Sequence, residues 1–256
     1  MKLNVAYDFR PKKRSCRAAV VMDHFGIGFE TGPHAIAEDL ELDIRAGDVV
    51  CFTGASGSGK SSLMRAAAAE LARAGQSIVN LDDLDLGESI LIEALHLPAG
   101  EAMEILAACG LSEARLLLRT PSELSDGQRY RFRLARAVSQ KPDWIVADEF
   151  SATLDRVLAK VVAFNLRRLS DRTGIGFLLA TTHEDILADL SPTLHFQCEL
   201  NGAIHPGGEE GKREVDPARK KNGRSALSKT SNSRPDRHAT GRISLAGITA
   251  ATTSAS

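Results

Sequence analysis

Three short runs of the chain are apolar at nearly every position: VVCFT at 49–53, WIVAD at 144–148 and GFLLATT at 176–182. A strand with no polar alternation has both faces covered, which is the pattern of parallel strands lying under helices. A further short strand is predicted at SIVNL, 77–81. Between the runs the apolar period lengthens to that of a helix. SSLMRAAAAELARAG, 61–75, carries Leu63, Met64 and Leu71 at helical spacing and stops at Gly75; the arginine-rich DGQRYRFRLARAVSQ stops before Pro142. Short helices are predicted within 88–119 and over 184–190, and a longer one over 158–169. Strands alternating with helices predict an α/β fold with a mainly parallel central sheet. Ahead of it, 18–29 and 35–44 read as strands of a small antiparallel β region, with RAGD at 45–48 as the following turn. Residues 1–17 read as an irregular basic extension.

Composition changes this picture mainly at the C-terminal end. The 256 residues are 43% hydrophobic and 25% charged, an ordinary globular balance, and the formal net charge is −1. That total hides an asymmetry, because 206–256 carry 10 Lys and Arg against 5 Asp and Glu. The same segment has no Phe, Trp or Tyr, so it cannot bury enough surface to offset chain entropy, and a disordered basic tail is expected there. The four cysteines, Cys16, Cys51, Cys109 and Cys198, form no C-x-x-C pair, which excludes a zinc ribbon and a disulfide framework as expectations. No signal-like apolar core follows the N-terminal charges, and no run approaches the roughly 18 apolar residues of a membrane helix. The expected location is cytoplasmic, with another chain doing any spanning.

The candidate chemistry begins directly after VVCFT. Gly54–Ser61 reads GASGSGKS and fits G-x-x-x-x-G-K-[ST] between a strand and a helix. Small side chains let successive backbone N–H groups turn inward around a phosphate at the positive end of the next helix. Lys60 would reach the β- and γ-phosphates, and Ser61 would ligate Mg²⁺. WIVADE then brings Asp148 and Glu149 to the end of a buried strand, the first suited to a metal contact through water and the second to activating a water. FLLATT delivers His183 in the same way. LSDGQ, 124–128, opens the arginine-rich helix; Ser125 is a natural N-cap and Gly127 leaves amides exposed, so this helix start is a second anion site.

GASGSGKSS, LSDGQ, WIVADE, SATLD and TTH stand in the order and approximate spacing of an ATP-binding cassette (ABC) ATPase domain, and 18–205 resembles that family. The resemblance implies a P-loop NTPase fold with a helical signature subdomain at about 86–141. It implies ATP and Mg²⁺ as ligands. It assigns Gly54, Ser56, Gly57, Ser58, Gly59, Lys60, Ser61 and Ser62 to the Walker A loop, and Ser61 and Asp148 to the metal. Glu149 and His183 take the catalytic roles, Ser125, Gly127 and Gln128 the signature, Asp155 the D-loop, and Phe29, with Phe25 as the alternative, the aromatic that stacks on adenine. In this family two cassettes associate head to tail, so that Ser125 and Gly127 of one cover the γ-phosphate held by Lys60 of the other. A homodimer is therefore expected.

Departures from the family pattern bear on the role. Asp126 puts a carboxylate within the signature. No glutamine occurs between Gln76 and Gln128, so the Q-loop glutamine that contacts the transmembrane partner is missing, with Asp82, Asp83 or Asp85 as replacement ligands. The segment ADEFSATLDRVLAKVVAFNLRRL is similar to soluble cassettes related to acetyltransferase-fused ABC ATPases. These features favour a soluble regulatory or nucleic-acid-related ATPase, with the basic tail as a nucleic-acid contact. The alternative is the ATP-binding subunit of a transporter, peripheral at the inner face of a membrane and acting with membrane-spanning subunits.

Overall fold

A computed structural model describes residues 1–207. The expectation of a disordered tail therefore lies outside the described residues from 208 onward. Six strands form the main sheet: β3 (Val49–Gly54), β4 (Ile78–Asn80), β5 (Trp144–Ala147), β6 (Gly176–Thr181), β7 (Leu194–Cys198) and β8 (Ile204–Pro206), in the order β4-β5-β6-β3-β7-β8. All pair in parallel except β8, which runs antiparallel to β7. The fold class read from the apolar runs is the fold observed.

Period-two alternation splits the central strands between two cores. Val49 and Cys51 of β3, Ile145 and Ala147 of β5, and Phe177 and Leu179 of β6 point to one. Val50 and Phe52, Trp144 and Val146, and Leu178 and Ala180 point to the other. The first core is roofed by α6 (Asp126–Ser139), α7 (Arg156–Thr173) and the short helices α3 (Leu91–Ala94), α4 (Ala99–Ala108) and α5 (Ala114–Leu117). The second is covered by α2 (Lys60–Arg73) and by an antiparallel pair, β1 (Lys2–Phe9) with β2 (Gly32–Glu41). Strands so enclosed leave only their carboxyl ends open, which is where a doubly covered parallel sheet places its ligand site.

The N-terminal region corrects the sequence reading in two places. Residues 2–9, read as an irregular extension, form β1, whose Leu3 and Val5 enter the second core. The segment at 18–29, read as a strand, instead contains most of helix α1 (Cys16–Phe25). Ser15 caps it by accepting from the Ala18 N–H, and Gly26, at φ +63°, ends it with its own N–H donated to the Met22 carbonyl. Local capping chemistry thus overrides the β preference of Val20 and Val21. The partner of β2 is consequently β1. A last short helix, α8 (Leu187–Leu190), precedes β7.

Candidate active site

The carboxyl ends of β3, β5 and β6 open into one cavity of about 600 Å³. Its floor is the 54–61 loop, and glycines set the shape of that loop. Gly54 sits at φ +137°, and a Cβ there would lie 2.1 Å from the Cys198 carbonyl oxygen. Gly59 sits at φ +87° against Ile36, with 2.6 Å left for a Cβ. Gly59 is also the N-cap of α2 and supplies no side-chain cap. The first N–H groups of a helix have no intrahelical partner, so the first turn of α2, at Lys60, Ser61 and Ser62, faces the cavity with donors to spare.

Lys60 is only 8% exposed, and its Nζ donates to the Ala55 carbonyl of its own loop at 2.6 Å. Ser58 Oγ is buried without a hydrogen-bond partner. The Ser61 hydroxyl donates to Asp148 Oδ1 at 2.8 Å, while the other carboxylate oxygen of Asp148 accepts from Arg65 at 3.0 Å. A hydroxyl and a carboxylate held this close are the hard oxygen donors that suit Mg²⁺, with phosphate oxygens and water completing the shell. Arg65 was not singled out by sequence. Beside Asp148, Glu149 adopts φ +47° and Ser151 φ +66°, the left-handed region that costs a non-glycine residue of the order of 1 kcal/mol. Phe150, fully buried, donates its N–H to the Ala180 carbonyl and anchors the turn that holds Glu149 on the cavity wall.

Tyr7, Phe9 and His34 line the outer end of the cavity. The Tyr7 and Phe9 rings meet edge to face at 4.9 Å, and Lys12 sits over Phe9 at 5.9 Å from its centroid. Phe29 does not line the cavity. The aromatic rings on the cavity wall come from β1, and the L-x-V-x-Y-x-F spacing of residues 3–9 is the sequence signal that could have found them.

Several expected residues stand elsewhere. His183 follows β6 half-buried but is absent from the cavity wall, where Thr181 and Thr182 are present. Asp155 is the N-cap of α7, accepting from Leu158 N–H at 2.9 Å. Asp82, Asp83 and Asp85 are exposed and contribute nothing to the wall. Ser125, Gly127 and Gln128 also lie off the cavity. Ser125, exposed, closes a capping box: its Oγ accepts from Gln128 N–H and its N–H donates to Gln128 Oε1. Gly127 packs α6 against the 151–155 loop, since a Cβ would lie 3.2 Å from the Thr153 carbonyl oxygen. Of the four cysteines, which are all unpaired, Cys16 alone is exposed.

A strand, a bare loop and an open helix end arranged in this way define a P-loop nucleotide hydrolase. The family model described as ABC transporter matches residues 37–152. The lipoprotein-releasing system ATP-binding protein LolD of Maricaulis maris is 30% identical over 65% of this chain and 88% of its own length. That of Chromohalobacter salexigens is 30% identical over 62% and 82%. Among solved structures, the dimeric post-hydrolysis state of the cassette MJ0796 bound to ADP and Pi superposes with a TM-score of 0.57 at 19% identity, covering 81% of this chain and 99% of that one. A nucleotide-free cassette from an ABC transporter gives 0.52 at 24%, covering 69% and 87%. The chain belongs to the ABC transporter family, as an ATP-binding cassette, and is an ATPase.

Proposed function

We propose that the protein hydrolyses Mg²⁺-ATP at a site completed head to tail by a second copy, as the ATP-binding subunit of a transporter whose membrane-spanning part is a separate chain. One observation carries the composite site. The residues that would hold and hydrolyse the triphosphate share one cavity, whereas the signature serine, Ser125, is exposed and away from it. A serine-capped helix end in that position serves a neighbour's nucleotide. Tyr7 and Phe9 offer faces for adenine. The first turn of α2 and Lys60 bind the phosphates, Lys60 exchanging the Ala55 carbonyl for phosphate oxygen. Ser61 and Asp148 would hold Mg²⁺, which would supply charge neutralisation at the phosphates. Glu149 orients and deprotonates the attacking water for in-line displacement. His183 reaches the γ-phosphate only if the loop after β6 moves.

The transporter reading rests on the relatives: besides LolD proteins, a probable export ATP-binding/permease protein of Pseudomonas fluorescens is 34% identical over 58% of this chain. Among the described residues no helix is long and apolar enough to cross a membrane, so a partner would supply the span. The missing Q-loop glutamine favours the soluble regulatory reading, but it is a single position against a set of transporter relatives. Glu149→Gln with ATP should double the mass seen by light scattering and leave turnover near background. A monomer under saturating ATP overturns the composite site. Affinity purification from membranes and cytosol, with identification of the bound chain, decides between transporter and soluble roles.

A further inference from the structure

Among the described residues, helix α1 is unlike every other helix of ten residues or more, because none of its residues is buried. Val20 is 68% exposed and Phe25 67%, and Val21 and Ile27 are also exposed. Spacing of four residues sets Cys16, Val20 and His24 in one row and Arg17, Val21 and Phe25 in the next, so the outward side of α1 carries an apolar patch after a basic start, with Asp23 as the one carboxylate of the helix. The approach to this helix is strongly cationic. Arg10, Lys12, Lys13, Arg14 and Arg17 are all exposed, and no acidic residue occurs between Phe9 and Met22.

We propose that α1 and its basic arm dock on an anionic lipid surface. Lys and Arg meet the headgroup charge, each strengthening binding about fivefold near such a surface, while the aliphatic and aromatic side chains enter the acyl boundary. Neither feature alone selects lipid, but together they discriminate. A nucleic acid would use the charges and leave Val20, Val21 and Ile27 against water, since base contacts are made through stacking and hydrogen bonds. Antiparallel pairing of α1 with a second copy would cover the apolar row but leave the two basic arms at opposite ends of the pair, with no run of acidic residues against either. Only a surface both negative and apolar beneath satisfies both sets of side chains. The inference is independent of the transporter reading, since it requires no membrane-spanning partner.

Cys16 provides a direct probe, because it is exposed on the outward row of α1 while the other three thiols are buried. Burial pushes Cys51 and Cys109 up to about 12, so at neutral pH labelling is confined to Cys16. The full chain carrying a polarity-sensitive dye there is mixed with vesicles of phosphatidylcholine with or without phosphatidylglycerol. A blue shift only with phosphatidylglycerol, reversed by salt, is expected. Lys13→Glu with Arg14→Glu should weaken vesicle binding at least about tenfold. Val20→Ser with Val21→Ser and Phe25→Ser should weaken it by about tenfold with charge intact. ATPase activity without vesicles should be unchanged in both variants. No shift, an equal shift with uncharged vesicles, or a shift in both variants as large as in the parent overturns the proposal. So does a shift produced by duplex DNA or by protein concentration alone.

Discussion

The N-termini of α2 and α6 present the same surplus of backbone N–H groups and deal with it in opposite ways. At α2 the cap is Gly59, which has no side chain to accept from the helix, and the donors face a cavity with Lys60 beneath them. At α6 the cap is Ser125, and the reciprocal bonds with Gln128 satisfy the end internally on an exposed surface. A capping serine is worth about 1 kcal/mol to a helix. The chain forgoes that stabilisation at α2 and keeps it at α6. In the proposed composite site, the difference separates an end that waits for a ligand within its own subunit from one that is stable until a neighbour presents one. It also explains Asp126: the carboxylate is paired with Arg129 at 3.1 Å, so the first turn of α6 keeps an acidic residue without leaving it free to repel a phosphate.

The largest effect should come from emptying the open end. Lys60→Ala removes the one cation buried in the loop, and turnover should fall by about 10² to 10³ as for loss of a transition-state donor. Isothermal titration should show ATP binding lost with it, while thermal stability without nucleotide stays close to the parent's. Next in size is the closed end. Ser125→Ala should reduce turnover at least about tenfold while leaving ATP affinity of the monomer intact, and should lower stability by about 1 kcal/mol. Ser125→Asp separates the two roles: aspartate caps as well as serine, so stability is retained, but its charge faces a triphosphate and turnover is lost. Full activity in Ser125→Asp would break the comparison, since α6 would then be an ordinary capped helix.

The sequence was legible where one kind of signal acted alone. The central strands announced themselves because both faces are buried, and 54–61 because no other arrangement needs so many small residues before a lysine. Legibility failed where two signals competed. Val20 and Val21 favour a strand, but the Ser15 and Gly26 caps decide for a helix that owes little to burial. The charges of the N-terminal segment concealed β1, whose core contacts are made by Leu3 and Val5. β7 and β8 were missed because LHFQC and IHP are too mixed to read without their neighbours. Site residues followed the same rule. Lys60, Ser61, Asp148 and Glu149 follow from the strand ends, while Phe29 rests on the family resemblance alone, and the aromatics at the cavity come from the concealed strand.

The place of Tyr7 and Phe9 on the cavity wall predicts a smaller effect on the open end. Stacking of a base on an aromatic ring is worth about 1–3 kcal/mol. Phe9→Ala should therefore raise the Kd for ATP at least about fivefold, measured by fluorescent-nucleotide displacement, with inorganic triphosphate affinity unchanged. Phe29→Ala should leave both constants where they are.

The smallest effect concerns the support behind the open loop. Thr53, the last residue before Gly54, lies 2.8 Å from His195 Nε2 through its hydroxyl, and that hydroxyl also reaches Glu184 Oε1 at 3.5 Å. Strand β7 is thereby tied to the start of the phosphate loop and to the residue after His183. Burial lowers the affinity of His195 for a proton, against the pull of Glu184 in the other direction. A histidine with a lowered folded value is neutral in the fold and takes up its proton more readily when unfolded. Its contribution to stability is therefore complete above the ordinary imidazole value of about 6.5 and is lost as pH falls through the folded one. Solvent reaches part of the ring, so the effect is modest. The melting temperature of the parent should fall more steeply between pH 7.5 and 5.5 than that of His195→Gln, by a difference of about 1–2 °C. Among the described residues no histidine stands in or directly before α6, so Ser125→Ala should leave that slope unchanged, and a slope that followed Ser125 rather than His195 would place the pH-sensitive support at the wrong helix.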